Sequence, residues 1–221
     1  LQEEVSQKTM FTRKAPLFVA ALLFAGQASA GVSYSLDSLL SGGSLNSADG
    51  KLVFSDFAYT QFNGPSAGNI QVSAVDSGLS FGTPFVALDT TIDFNIEYKV
   101  TGVDVLINGV SMKSTGSGSG TGVAGIFKVA EGSESAVNLA NIFSSQVTNS
   151  SASSSFSAES SVLVRDDIFG IPGENGIAGV SDFTQTFSTT GTEVNPIPSP
   201  TAALAGVALL GVIGMRRRRS A

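Results

Sequence analysis

The 221-residue chain contains no cysteine, no histidine and no tryptophan. Without cysteine there is neither a disulfide framework nor a thiolate metal site, and a chain of this length can fold without either. Without histidine the usual general base of neutral pH is missing, and with it every Ser/His/Asp or Cys/His nucleophile. Basic charge is scarce outside the two ends: the stretch 31–199 keeps Lys51, Lys99, Lys113, Lys128 and Arg165 against sixteen Asp and Glu. Phosphate binding needs clustered cations, so this balance argues against a nucleic-acid partner. It suits an exported domain whose surface repels its own kind.

Little of the remaining chemistry survives inspection. A Ser/Lys dyad would need a serine three residues before a lysine, and no lysine of the body has one. Gly120-Thr121-Gly122-Val123-Ala124-Gly125 fits G-x-G-x-x-G, but a Gly/Ser run precedes it and Ile126-Phe127-Lys128-Val129 follows without a helix signal. A dinucleotide needs that motif at a strand-to-helix turn, so a loop is expected instead. Two carboxylates could run glycoside hydrolysis, yet nothing selects one pair from the acidic surplus. Hard oxygen donors suit calcium, and Asp166, Asp167 and Glu174 are weak candidates in an acidic, glycine-rich turn. No D-x-D-x-D-G loop accompanies them, so the reading is of no metal and no cofactor. Tyr34, Tyr59 and Tyr98 are too few, and too core-like in their surroundings, to mark a glycan-binding face.

The ends are richer. From Met10 the chain reads MFTRKAPLFVAALLFAGQASAG: Arg13 and Lys14, an apolar run from Ala15 to Gly26, then Ala28-Ser29-Ala30. That order is a secretory signal peptide with cleavage expected after Ala30, and Leu1 to Thr9 before it carry no targeting pattern. At the other end Thr201 to Met215 is uncharged and is followed by Arg216, Arg217, Arg218 and Arg219. Fifteen helical residues cover about 22 Å, short of the ~30 Å hydrocarbon core, so the segment needs its flanks to sit in a membrane. The arginines would stay cytoplasmic and leave the body outside.

Pro198-Ser199-Pro200, the apolar segment and the arginine cluster together resemble the PEP-CTERM sorting signals of exported bacterial proteins, with serine in place of the motif's glutamate. The resemblance implies a signal peptidase and an exosortase-type enzyme as processing partners and transient retention in the inner membrane. A permanent single-span anchor is the alternative. More faintly, "FSDFAYTQFNG", "GLSFGTPF", "DFNIEYKVTG" and "GVSDFTQTFST" resemble the lumenal domains of such proteins, which implies a small β-sandwich.

The body supports that fold independently. Ile92, Phe94, Ile96, Tyr98 and Val100 alternate with polar residues over nine positions, the period of a half-buried strand. Shorter alternation marks 70–74, 103–105 and 183–187, and β-branched or aromatic segments at 51–60, 79–87, 125–130 and 156–164 are bounded by turn residues. Eight to ten short strands predict a single antiparallel, jelly-roll-like β-sandwich over 31–188. Residues 136–143 fit a strand or a short helix. Ser114–Gly122 and Thr148–Ser155 are so small and polar that loops are expected. Residues 189–197 read as a linker and 198–221 as the sorting signal. The expectation is an exported, non-enzymatic protein of the cell surface or extracellular matrix, structural or adhesive. The alternatives are an unprocessed membrane-anchored protein and a secreted carbohydrate-binding or carbohydrate-active domain, with extracellular polysaccharide as the partner.

Overall fold

The computed structural model describes residues 32–144, 147–174 and 176–191. The signal peptide with Ala28 and Ala30, the Pro198-Ser199-Pro200 motif, the apolar segment and Arg216 to Arg219 lie outside the described residues. Among the described residues no helix is long and apolar enough to cross a membrane.

Twelve strands follow one another along the described residues: β1 (Ser33–Ser35), β2 (Leu45–Asn46), β3 (Leu52–Phe62), β4 (Gln71–Val75), β5 (Gly78–Ala87), β6 (Ile92–Gly102), β7 (Val105–Gly118), β8 (Val123–Glu131), β9 (Ala136–Phe143), β10 (Asn149–Glu159), β11 (Ser161–Ile171) and β12 (Ala178–Gly191). They form two six-stranded sheets, β1-β4-β5-β12-β7-β10 and β2-β3-β6-β11-β8-β9. Every pairing is antiparallel. From β5 onward the chain visits the sheets in jelly-roll order, β5-β12-β7-β10 facing β6-β11-β8-β9. The antiparallel sandwich expected from the alternation is therefore the observed architecture.

Period-two patterning explains the core. Phe94, Ile96, Tyr98 and Val100 of β6 are fully buried, as are Phe81 of β5 and Phe183 of β12. The last two are register partners whose rings stack at 4.7 Å, and Tyr98 from the opposite sheet lies 5.8 Å from Phe81. A short helix, α1 (Leu36–Leu40), starts where the Ser35 hydroxyl accepts from the Ser38 amide and buries Leu36 and Leu39 at the edge of the core.

Several local expectations are corrected. Residues 136–143 are strand β9. The Ser/Gly runs are mostly strand: β7 continues through Ser114 to Gly118, leaving only Ser119–Gly122 as the expected loop, and Thr148–Ser155 falls mostly in β10. Ladder bonds come from the backbone, so small polar side chains suffice where their inward hydroxyls are satisfied. Buried Asn141 of β9 does this, donating to Ser114 Oγ (2.5 Å) and to the Ser150 carbonyl (3.2 Å) and accepting from Ser150 Oγ (3.1 Å). One asparagine thus ties the second sheet to both serine-rich strands of the first. Asp104, at φ 55°, sits in the turn between β6 and β7, where an isolated strand segment had been expected. Segment 156–164 is broken at Ser160 between β10 and β11. Arg165-Asp166-Asp167 lies in the middle of β11 and not in a turn. Thr189 to Gly191, expected as linker, complete β12 by pairing with Ile107, Leu106 and Val105.

Gly116 shows why glycine belongs in β7. A Cβ there would lie 2.6 Å from the Phe143 ring and 2.8 Å from the Gly179 carbonyl. Gly116→Val is expected to lower stability by about 1–3 kcal/mol through overpacking, read by chemical denaturation.

Candidate functional site

The site is built by the parity of two strands. In β8 the apolar Phe127 and the cationic Lys128 are adjacent, and simple hydrophobicity would turn Phe127 inward. The structure does the reverse: Lys128 is fully buried and Phe127 is 45% exposed. Lys128 can point inward because Asp166 of β11 stands directly opposite and takes its ammonium on Oδ1. The second carboxylate oxygen accepts from Gln185 Nε2 of β12 (2.5 Å), and the Gln185 carbonyl accepts from the Tyr98 hydroxyl of β6. The chain of four residues crosses from one sheet to the other with every member fully buried. Burial pushes the Lys128 ammonium down and the Asp166 carboxyl up from their ordinary values, each opposed by the other's charge. Burial, then the Asp166 charge, pushes the Tyr98 phenol well up.

With Lys128 and Asp166 inward, their neighbours point outward. Two rows of register partners cross the outer face of the second sheet from β3 through β6, β11 and β8 to β9. One row is Phe62, Asp93, Phe169, Gly125 and Ile142; the next is Thr60, Asn95, Asp167, Phe127 and Ala140. Phe62 is 68% exposed and Ile142 41%. A Cβ on Gly125 would lie 2.7 Å from the Phe169 ring and 2.9 Å from Ile142 Cδ1, so Phe169 and Ile142 close over the glycine. From there the Phe169 ring stacks on Phe127, centroids 5.4 Å apart and planes 15° from parallel. Further along the face Arg165 donates to Glu97 Oε2 (2.7 Å) and reaches Glu131 (3.6 Å). The result is a mixed face on which the Phe127–Phe169 pair and Ile142 adjoin Asp93 and Asp167, with Phe62 on the far side of Asp93.

Asp93 and Asp167 lie in nearby register pairs of β6 and β11, and the Asp167 carboxyl is pushed up from its ordinary 3.8, first by partial burial and then by the negative charge and hydrogen bond of Asp93. Such a pair holds a proton more readily than either carboxyl alone.

Alternation also decides the fate of the calcium candidates. Asp166 faces the core and Asp167 the solvent side of the sheet, while Glu174 lies in the connection between β11 and β12. The three do not converge, and among the described residues no group of three or more acidic side chains is placed to hold a metal. The G-x-G-x-x-G stretch spans the β7–β8 turn and the first residues of β8, with Gly120 at φ 57°, so no helix N-terminus stands behind it. Of the tyrosines, Tyr98 is core, Tyr59 packs on Phe94 and donates to the Pro65 carbonyl, and Tyr34 is exposed on the edge strand β1. Phe62, Phe127, Phe169 and Asp93 were not singled out by the sequence. The available signal was the alternation itself, obscured because β8 carries its charge on the inner face.

The outer face of the first sheet differs in kind. Ser33, Ser73, Ser80, Thr184, Lys113 and Ser151 are register partners in one row across it, and hydroxyls bond to one another at Thr184–Ser80 (3.2 Å) and Ser111–Thr186 (2.6 Å). A hollow of about 240 Å³ lies at the far end of the second sheet, lined by Lys99, Glu131, Ser133, Glu159 and Leu163 among others. There the Glu134 amide and the Ser133 hydroxyl hold Glu159 below the usual glutamate range. Glu159 thereby closes the β8–β9 turn.

No family model matches the chain, and no curated protein matches it in sequence. Among solved structures it is similar to TmCBM61 in complex with beta-1,4-galactotriose, at 11% identity over 60% of this chain and 88% of that chain, with a TM-score of 0.38. It is also similar to a protein described under "CBM4 structure and function", at 12% identity over 62% of this chain and 86% of that one, with a TM-score of 0.27. Neither likeness assigns a ligand or a role to this chain.

The Asp93–Asp167 pair gives a pH test. Because the folded pKa of Asp167 lies above its unfolded value, its ionisation costs stability. The cost is absent below the unfolded value of 3.8, grows as pH rises through the folded pKa and is complete at neutrality. Asp167→Asn is expected to raise the melting temperature at neutral pH and to change it little near about pH 3, read by thermal scans across that range.

Proposed function

We propose that this domain is an exported, non-catalytic polysaccharide-binding module and that its binding surface is the outer face of the second sheet around Phe62, Phe127 and Phe169. The observation that carries the reading is the stacked Phe127–Phe169 pair, with Phe127 exposed and Phe169 half-buried, beside Asp167 and across Asp93 from the exposed Phe62. Sugar rings offer an apolar C–H face and a polar hydroxyl edge. A stacked aromatic pair receives the first, and carboxyl and amide groups beside it receive the second. The acidic balance of the body repels polyanions, which favours a neutral polysaccharide. The signal-peptide pattern and the PEP-CTERM resemblance support delivery to the cell surface or matrix, where a polysaccharide binder would serve adhesion.

Affinity electrophoresis through gels containing a series of neutral soluble polysaccharides tests the reading. The protein is expected to be retarded in at least one gel, with Phe127→Ala and Phe169→Ala each weakening binding roughly two- to tenfold, about 0.5–1.5 kcal/mol per ring. Free mobility in every gel, or retardation indifferent to F127A/F169A, would contradict it. For the sorting reading, native protein recovered from the cell surface and medium is expected to end near Pro198 to Thr201 by mass. Protein that keeps Arg216 to Arg219 and partitions only with membranes would instead make the tail a permanent anchor.

A further inference from the structure

The buried Lys128–Asp166 pair is more than the fold needs for electrostatics. Two ions enclosed in a core lose several kcal/mol of hydration each, and well-packed apolar residues of the same size usually do as well or better. The pair also has the parts of a condensation reaction. Lys128 and Asp166 stand directly opposite on adjacent strands, in contact through Nζ and Oδ1, fully buried from solvent. The other carboxyl oxygen is held by the Gln185 amide, which is itself fixed by the Tyr98 hydroxyl.

We propose that Lys128 Nζ and Asp166 Cγ join as an intramolecular isopeptide bond, a self-formed cross-link between β8 and β11. The steps balance without an outside reagent. The Lys128 ammonium passes one proton to Oδ1 of the Asp166 carboxylate, leaving a free amine against an un-ionised carboxyl. Burial favours those neutral forms on both groups. The Nζ lone pair then bonds to Cγ, and the carbonyl electrons move onto Oδ2, where the N–H of Gln185 stabilises the negative charge. A second Nζ proton moves to Oδ1, the Cγ–Oδ1 bond breaks, and water leaves. The third proton stays on the amide nitrogen, and nothing is oxidised or reduced. Gln185 touches the reacting carboxyl, whereas Tyr98 is a positioning residue that acts through it. Proximity supplies most of what the reaction requires, because the fold holds amine and carboxyl together in a dry site. In a chain without cysteine, such a bond gives the sandwich the covalent tie that a disulfide gives other exported domains.

The test is the mass of the full chain after denaturation, followed by tryptic mapping. The expected mass is that of the polypeptide less one water, with cleavage after Lys113 and Arg165 but none after Lys128. The fragment beginning at residue 114 should therefore be recovered covalently joined to the fragment beginning at residue 166. Lys128→Met, which removes the nucleophile, should have the full mass of its own sequence. The wild-type map decides the question even if that variant fails to fold: full mass with ordinary cleavage after Lys128 overturns the proposal. This outcome is independent of whether the outer face binds a polysaccharide.

Discussion

Lys128 and Asp166 face each other across β8 and β11 inside an otherwise apolar sandwich, and their orientation governs both surfaces of the sheet they belong to. Side chains alternate along a strand, so a slip of one residue would bring Lys128 out and Phe127 in. What holds the register is that the groups of this chain answer one another: ammonium by carboxylate, carboxylate by the Gln185 amide, amide oxygen by the Tyr98 hydroxyl. A slip would strand those partners in the core, where an unanswered charge costs about 3–5 kcal/mol. It would also push Ile126, buried on the same face of β8 as Lys128, into solvent. The exposed phenylalanines are thus the outward consequence of an inward ion pair.

The same logic separates the two outer faces. On the first sheet, short hydroxylated residues bond to one another and leave no ring or large apolar side chain across the row from Ser33 to Ser151. On the second, rings and carboxyls share adjacent rows, with Gly125 making room for Phe169 to lie against Ile142 and stack on Phe127. Large apolar side chains left exposed together on one sheet face, as Phe62, Phe127 and Ile142 are here, mark a candidate interaction surface. The contrast between a hydroxyl face and an aromatic face directs the functional reading to the second sheet.

Much of the architecture was legible in the sequence because burial writes a period of two. Ile92 to Val100 read as a strand and lie within β6, segment 79–87 lies within β5, and segment 51–60 falls in β3 except for Lys51. Serine and glycine runs carried no such signal, since β7 and β10 are held by backbone ladders and by Asn141 from the opposite sheet. Residues 136–143 were ambiguous for the same reason that short apolar stretches usually are, and cross-strand pairing with β8 settles them as strand. The candidate site was hidden by a local inversion. Charge normally marks the wet side of a strand, but in β8 and at Asp166 it marks the dry side, so the outward rings looked like core. The pairing of Asp93 with Asp167 lies 74 residues apart in sequence numbering and depends on the β6–β11 register, which no local pattern reveals.

The most direct measurement of the central claim is a backbone NMR titration of the isotopically labelled body, residues 31–191, with soluble neutral oligosaccharides. Shift changes are expected only on the outer face of the second sheet, centred on Phe62, Asp93, Phe127, Asp167 and Phe169. Changes gathered on the hydroxyl face of the first sheet, or at the hollow beside Glu159, would contradict it, as would a spectrum that no oligosaccharide moves.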